Sequence, residues 1–242
     1  MLTKILDNLK TLIIALIIAI LIRSLFFQPF YIPSSSMEPT LLVGDRIFVS
    51  KYTYGYSKHS FPFSPSIIKN RLFYTKPNYG DLVVFKTPSD NRTDFIKRLI
   101  GFPGDKIQFI DGNLLVNNEI ILKIKKIERN DIRCAGKKIK TVEYSEELNS
   151  NKNYSVVYRT QGSMANTDVY KVPKEHFFFL GDNRDCSSDS RFLSNVGYVH
   201  QNNLVGKARI IFFSNDTQIG SVIKFWNWGK SLRTERFFKV IK

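Results

Sequence analysis

Apolar residues run without interruption from Leu12 to Ile22 and resume through Leu25, Phe26 and Phe27 to Phe30. As helix, residues 11–22 span about 18 Å, whereas extension to Phe30 reaches about 30 Å, the depth of a bilayer's hydrocarbon core, with Arg23 snorkelling outward. The pattern predicts one membrane-crossing helix over residues 11–30 behind a short cationic N-terminus, residues 1–10. No small-x-small site follows Ile22, so the segment reads as a retained anchor and not a cleaved leader. Lys4, Lys10 and the α-amino group place residues 1–10 on the cytoplasmic side, with Arg23 opposing them at the far end.

Beyond Phe30 the pattern changes to short alternating or apolar runs separated by Gly, Pro, Asn and Asp, the mark of antiparallel β structure. Strands are expected at 46–52, 81–86, 95–100, 106–110, 119–124, 176–180 and 204–213. Asp111-Gly112-Asn113 and Asn117-Asn118 read as turns of consecutive hairpins. Residues 53–78 lack any period and read as a long surface loop. Residues 121–170, rich in Lys, Asn, Glu and Ser, read as an inserted β lobe. The expected fold is all-β, a mainly antiparallel domain of residues 31–120 and 171–220 carrying that smaller insertion, preceded by one N-terminal transmembrane helix. A basic aromatic tail, residues 221–242, closes the chain. It sets Phe225, Trp226, Trp228, Phe237 and Phe238 among six basic residues and only Glu235, which suits either a bilayer interface or a terminal strand packed on the core.

Charge adds a partner class. The net charge of +15 favours an anionic surface, nucleic acid or the phosphate face of a bilayer. No zinc-ligand cluster, RNA-binding aromatic signature or DNA-reading motif is present, so nucleic acid is set aside and the lipid bilayer kept. Neither a metal nor a cofactor is expected. Cys134 and Cys186 have no metal-ligand spacing and are expected as free thiols.

Chemistry concentrates directly after the apolar segment, in Ser34-Ser35-Ser36-Met37-Glu38-Pro39-Thr40-Leu41-Leu42-Val43-Gly44-Asp45. A serine nucleophile needs a base, and His59, His176 and His200 fall in no G-x-S-x-G or H-E-x-x-H setting. Lysine is the remaining candidate. On a strand, Lys97 shares a face with Phe95 and Leu99. Burial there disfavours the ammonium form, as a lysine base requires. In Gly181–Arg191, the residues Asp182, Asp185 and Asp189 are expected to pair with Arg98, Arg184 and Arg191.

These segments resemble the boxes of bacterial type I signal peptidases, membrane-anchored Ser-Lys endopeptidases. Ser36-Met37-Glu38-Pro39-Thr40-Leu41 resembles the nucleophile box and Gly80–Phe85 the strand that follows it. Phe95–Arg98 with Gly101–Asp105 resembles the lysine box, and Gly181–Arg191 the last. The resemblance runs from about Gln28 to Ala208, outside the insertion. It implies a β catalytic domain on the extracytoplasmic side of the bacterial inner (cytoplasmic) membrane, single-pass, acting on signal-peptide-bearing preproteins beside the protein translocation machinery. It implies Ser36 as nucleophile and Lys97 as base, with Ser187 orienting the amine. The Ser36 N–H and Ser34 hydroxyl would form the oxyanion hole, and Asp182, Arg98, Asp189 and Arg191 the supporting network. Small side chains of an extended substrate would be received by Phe30, Ile32, Met37, Leu41, Ile47, Val84 and Ile96.

The sequence departs from the family pattern at Phe95, where tyrosine is common, at Ser35 for glycine, at Cys186 for asparagine and at Tyr79 for arginine. Cys186 beside Ser187 suggests sensitivity to thiol oxidants. Two decoys, Ser66-Ile67-Ile68-Lys69 and Ser89-Asp90-Asn91, match penicillin-binding-protein motifs, but the K-T-G partner is absent. Self-cleaving repressors resemble the same dyad yet need DNA-binding helices where this chain has its apolar segment. The non-enzymatic alternative is a membrane-tethered β interaction module with an inactive site.

Overall fold

The computed structural model describes residues 2–148, 152–220, 223 and 225–241. Helix α1 is Leu2–Leu25. The stretch Lys4–Leu25 is long and apolar enough to cross a membrane, and it is exposed up to Arg23, with only Ser24 buried. This moves the expected 11–30 span toward the N-terminus, because residues 27–31 are not helical. They form an edge strand whose backbone pairs with residues 46–50. In that strand Gln28 and Phe30 turn inward while Phe27, Pro29 and Tyr31 face out, a period of two hidden inside an apolar run. Arg23 consequently falls in the last helical turn.

The strands follow as β1 Phe27–Tyr31, β2 Asp45–Ser50, β3 Leu82–Lys86, β4 Asp94–Gly101, β5 Lys106–Ile110, β6 Asn113–Val116, β7 Glu119–Ile120, β8 Leu122–Arg129, β9 Arg133–Cys134, β10 Lys137–Lys138, β11 Thr141–Leu148, β12 Lys152–Arg159, β13 Tyr170–Lys171, β14 His176–Leu180, β15 Val199–His200, β16 Leu204–Ser214 and β17 Lys239–Val240. The main sheet runs β1-β2-β16-β3-β4-β14-β15, with β17 added to β16. Its neighbouring strands are antiparallel. One apolar cluster, Ile32, Met37, Leu41, Ile47 and Val84, underlies the serine-rich turn. A second, with Phe85, Leu99, Phe177 and Phe179, backs β4.

Strands β8, β11 and β12 make a separate three-stranded sheet within the expected insertion. Val157 N–H ties that sheet to Asp182 O at 2.9 Å. The segment 53–78 carries no strand, but it is not merely surface: Tyr54, Ser57, His59 and Ser60 are buried. In the tail, β17 docks on β16, Arg236 pairs with Asp45 at 2.6 Å, Arg233 pairs with Asp216 at 2.8 Å, and the Phe237 ring lies 5.1 Å from that of Phe213. Trp226 and Phe238 stay mostly exposed. The tail thus packs β17, its arginines and Phe237 on the β domain and leaves Phe225, Trp226 and Phe238 exposed. Residues 221, 222, 224 and 242, like Met1 and residues 149–151, lie outside the described residues.

Candidate active site

The turn Ser35–Met37 is a single 3-10 turn entered from Ser34 in extended conformation. It places Ser36, 8 % exposed, against β4. Lys97 Nζ donates to Ser36 Oγ at 2.5 Å, and the Ser34 and Ser36 hydroxyls lie 3.3 Å apart. Lys97 is buried. Its pKa is lowered to about 8, chiefly by desolvation and further by Arg191, against the opposing pull of Asp189 and Asp182. The expected apolar face holds: Nζ sits 5.3 Å from the Phe95 ring centroid.

Around this pair the charges are matched. Arg98 grips Asp182 through two hydrogen bonds of 2.7 Å, and its third donor reaches Gly80 O. Arg191 holds Asp189 at 2.8 and 2.9 Å, while Gly181 N–H donates to the same carboxylate. Burial pushes the Asp189 carboxyl up, but Arg191 and the Gly181 N–H outweigh it and hold it below the usual range. Two expected pairings differ. Arg184 is buried against Glu146 of the insertion, at 2.7 and 2.5 Å. Asp185 instead accepts from Arg159 N–H and Ser163 Oγ. Both differences arise because the insertion packs on the Gly181–Arg191 segment, a contact that local sequence does not encode.

Ser187 is buried, and its expected hydrogen bond to the Lys97 amine is not made: its hydroxyl has no hydrogen-bond partner among the described residues. It packs instead on Gly181, where a Cβ would lie 2.2 Å from Ser187 Oγ and 2.6 Å from Ser36 O. Only glycine leaves room here for the Ser187 side chain and the Ser36 carbonyl together. Asn183, which the motif reading passed over, clamps the serine turn: its N–H donates to Ser36 O at 3.1 Å, and its side chain donates to Ser35 O and Arg133 O. Its position inside the Gly181–Arg191 motif was the available signal.

Cys134 and Cys186 are not free thiols. They form a disulfide with Cα atoms 5.5 Å apart. β9 is brought there by Asn183 and by Glu38, whose carboxylate accepts from Arg133 N–H at 2.7 Å. The oxidant sensitivity expected of Cys186 therefore falls away.

A cleft of about 390 Å³ opens beside Ser36 and Lys97, lined by Phe30, Ile32, Met37, Ile47, Val84 and Ile96 as expected. Leu41 is the exception. It is fully buried in the cluster beneath the turn and does not line the cleft. On the cleft side, Asp94–Lys97 carry an open strand edge, since β14 pairs with β4 only from Arg98 onward. A second hollow, of about 760 Å³, continues past Ser34–Ser36 over the Cys134–Cys186 bridge toward Phe192.

A buried lysine touching a serine hydroxyl, beside an apolar cleft with an open strand edge, is the equipment of a peptidase. Comparison with known proteins agrees. The sequence-family model described as "Signal peptidase, peptidase S26" matches residues 5–213. Signal peptidase I of Rickettsia conorii (strain ATCC VR-613 / Malish 7) is 42% identical over 244 residues, covering 92% of this chain and 88% of that protein. Signal peptidase I of Rickettsia rickettsii (strain Sheila Smith) is 41% identical with the same coverage. A solved signal peptidase I from Enterococcus faecalis V583 aligns at 27% identity over 55% of this chain and 97% of that one, with a TM-score of 0.32. This chain belongs to the signal peptidase family, peptidase S26.

Proposed function

We propose that this protein is a membrane-anchored serine endopeptidase that removes N-terminal signal peptides from exported preproteins, cutting after small-x-small motifs through an acyl-enzyme on Ser36. The observation that carries the reading is the buried Lys97 amine 2.5 Å from the Ser36 hydroxyl. No histidine lines the cleft.

Lys97 acts as its neutral amine. With a pKa of about 8, roughly a tenth of the molecules carry it unprotonated at pH 7. The amine takes the Ser36 proton as Oγ bonds to the scissile carbonyl carbon, and the resulting oxyanion accepts from Ser36 N–H and the Ser34 hydroxyl. Collapse breaks the C–N bond, and the Lys97 ammonium returns its proton to the leaving amine. Lys97 then deprotonates a water that hydrolyses the ester. Arg98 and Arg191 neutralise Asp182 and Asp189, which would otherwise hold Lys97 as ammonium. Ser187 and Gly181 position the pair.

The substrate enters as an extended strand on the open edge of Asp94–Lys97, so that alternate side chains point into the cleft. Met37, Ile47, Val84 and Ile96 leave shallow room there, and large side chains are refused by contact. The departing mature chain leaves over the Cys134–Cys186 bridge. α1 is the anchor, with its N-terminal end in the cytoplasm and Ser36 at the outer face of the inner membrane, where translocated preproteins emerge.

The test is cleavage of a preprotein by the full chain in detergent. Ser36→Ala, Lys97→Ala and Lys97→Arg should each lose at least roughly 10³-fold in kcat/KM, the arginine because guanidinium stays protonated. Cleavage by Ser36→Ala or Lys97→Ala at the wild-type rate would overturn the assignment.

A further inference from the structure

A cavity of about 150 Å³ lies where α1 meets the β domain, walled by Arg23 and Ser24 from the last helical turn and by Lys51, His59, Lys86 and Asp94. Lys86 and Asp94 pair with each other at 2.9 Å. That leaves two cations in the wall, since among the described residues neither Arg23 nor Lys51 has a carboxylate within ion-pair distance. Lys51 is 3 % exposed, and among the described residues its ammonium makes one hydrogen bond, to Ser60 O at 2.5 Å. Two further wall residues are buried with a polar atom that has no hydrogen-bond partner among the described residues, Ser24 at Oγ and His59 at Nε2. The other His59 nitrogen, Nδ1, lies 3.0 Å from Ser64 Oγ. When Nδ1 accepts from that hydroxyl, Nε2 carries the proton and is a donor.

A buried cation and unpaired buried donors converging on one cavity, with a second cation at its edge, are costly unless an anion satisfies them. Desolvation, reinforced by Arg23 and Lys86, lowers the Lys51 pKa to about 8 against the pull of Asp94, which is itself paired with Lys86. The cavity's place narrows the anion. It sits at the C-terminal end of a helix fit to cross a bilayer, a position that would meet lipid phosphates were the helix to span. Phe63 lines it and is fully exposed, and Phe26 and Phe27, just before the lining residue Gln28 in the chain, are exposed as well. These aromatics offer an apolar rim to acyl chains.

We propose that this cavity binds the phosphate group of a glycerophospholipid, with Arg23 and Lys51 supplying charge and Ser24 and His59 supplying hydrogen bonds. Headgroup phosphate and free phosphate share the donor chemistry; the exposed aromatic rim assigns the site to the lipid.

The experiment is native mass spectrometry of the full chain released from detergent micelles and titrated with phosphatidylglycerol. One lipid should be retained per chain. Arg23→Gln and Lys51→Met should each weaken retention roughly tenfold, the worth of one charge-assisted contact. Lys4→Gln with Lys10→Gln, at the other end of α1, should leave it unchanged. Lys51→Met exchanges a buried ammonium for an apolar chain of similar length, and Arg23→Gln alters an exposed side chain, so the second carries the test should the first unfold. Unchanged retention in Arg23→Gln would overturn the proposal. So would displacement by millimolar inorganic phosphate, which marks a free-anion site, or equal retention of diacylglycerol, which marks an apolar groove.

Discussion

Lys97 feels two carboxylates and a guanidinium at once, with burial pressing its pKa down to about 8 against the pull of Asp189 and Asp182. Activity should therefore rise with pH to a plateau with its midpoint near 8. Arg191→Gln should move that midpoint to higher pH, because Asp189 then faces Lys97 without its counter-charge; an unmoved midpoint would refute the neutralising role. The same shift is a stability statement. Below about pH 8 both folded and unfolded chains carry the ammonium, and the folded chain bears its burial. Between about 8 and 10.5 the folded chain sheds the proton first, so stability rises with pH by as much as about 3 kcal/mol. Lys97→Met should thus unfold at higher temperature than wild type at pH 7 while losing cleavage, and the advantage should shrink toward pH 10; a variant less stable at pH 7 would contradict this. Gly181 acts at the same scale by contrast of size alone. Gly181→Ala drives a methyl into Ser36 O and Ser187, which should cost about 1–3 kcal/mol of stability and most of the activity, readable as a kcat loss in a cleavage assay.

At the scale of elements, the insertion and the Gly181–Arg191 segment form one unit fastened by a salt bridge and a disulfide. Arg184 and Glu146 are both fully buried, so Glu146→Ala leaves an unpaired guanidinium inside and should destabilise by about 3–5 kcal/mol in denaturant unfolding. The Cys134–Cys186 bridge closes a loop of 52 residues, worth up to about 4 kcal/mol by chain entropy. Reductant should lower the melting temperature of wild type and not that of the Cys134→Ser, Cys186→Ser pair; equal melting with and without reductant would deny the bridge its role. These elements also mark where sequence reading stops. Strands 106–110 and 176–180 were legible because the alternation of the first and the continuous apolar run of the second are bounded by turn residues, and Lys97 stood out because its neighbours Phe95 and Leu99 are apolar. β1 was not legible, since Phe26 to Phe30 continue the anchor's apolar run and only pairing with β2 reveals the change of period. Glu146 and the disulfide needed contacts between segments more than thirty residues apart, which no local pattern carries. Leu41 shares the motif of Ser36 yet belongs to the core beneath it.

For the whole molecule, α1 presents a long exposed apolar surface, with the large apolar side chains from Ile5 through Ile22 about half exposed and standing free of the β domain. Contact is confined to the helix end, where Ser24 is buried, Tyr56 Oη donates to Leu25 O at 2.9 Å and Lys51 N–H donates to Phe26 O at 2.9 Å. An apolar helix surface of this length suits a bilayer, which removes it from water. The β domain, in contrast, holds its own clusters and network without it. Removal of residues 1–25 should therefore leave the melting temperature within a few degrees and kcat/KM for a short soluble peptide within about threefold, since no residue lining the cleft precedes Phe30. The same truncation should slow cleavage of a preprotein held in vesicles by roughly 10²-fold or more, because anchoring confines enzyme and substrate to one surface and raises their effective concentration. The contrast between the two substrates is the measurement. Equal losses on both would mean that α1 shapes the active site, and equal retention on both would mean that the anchor does not deliver the enzyme to its substrate.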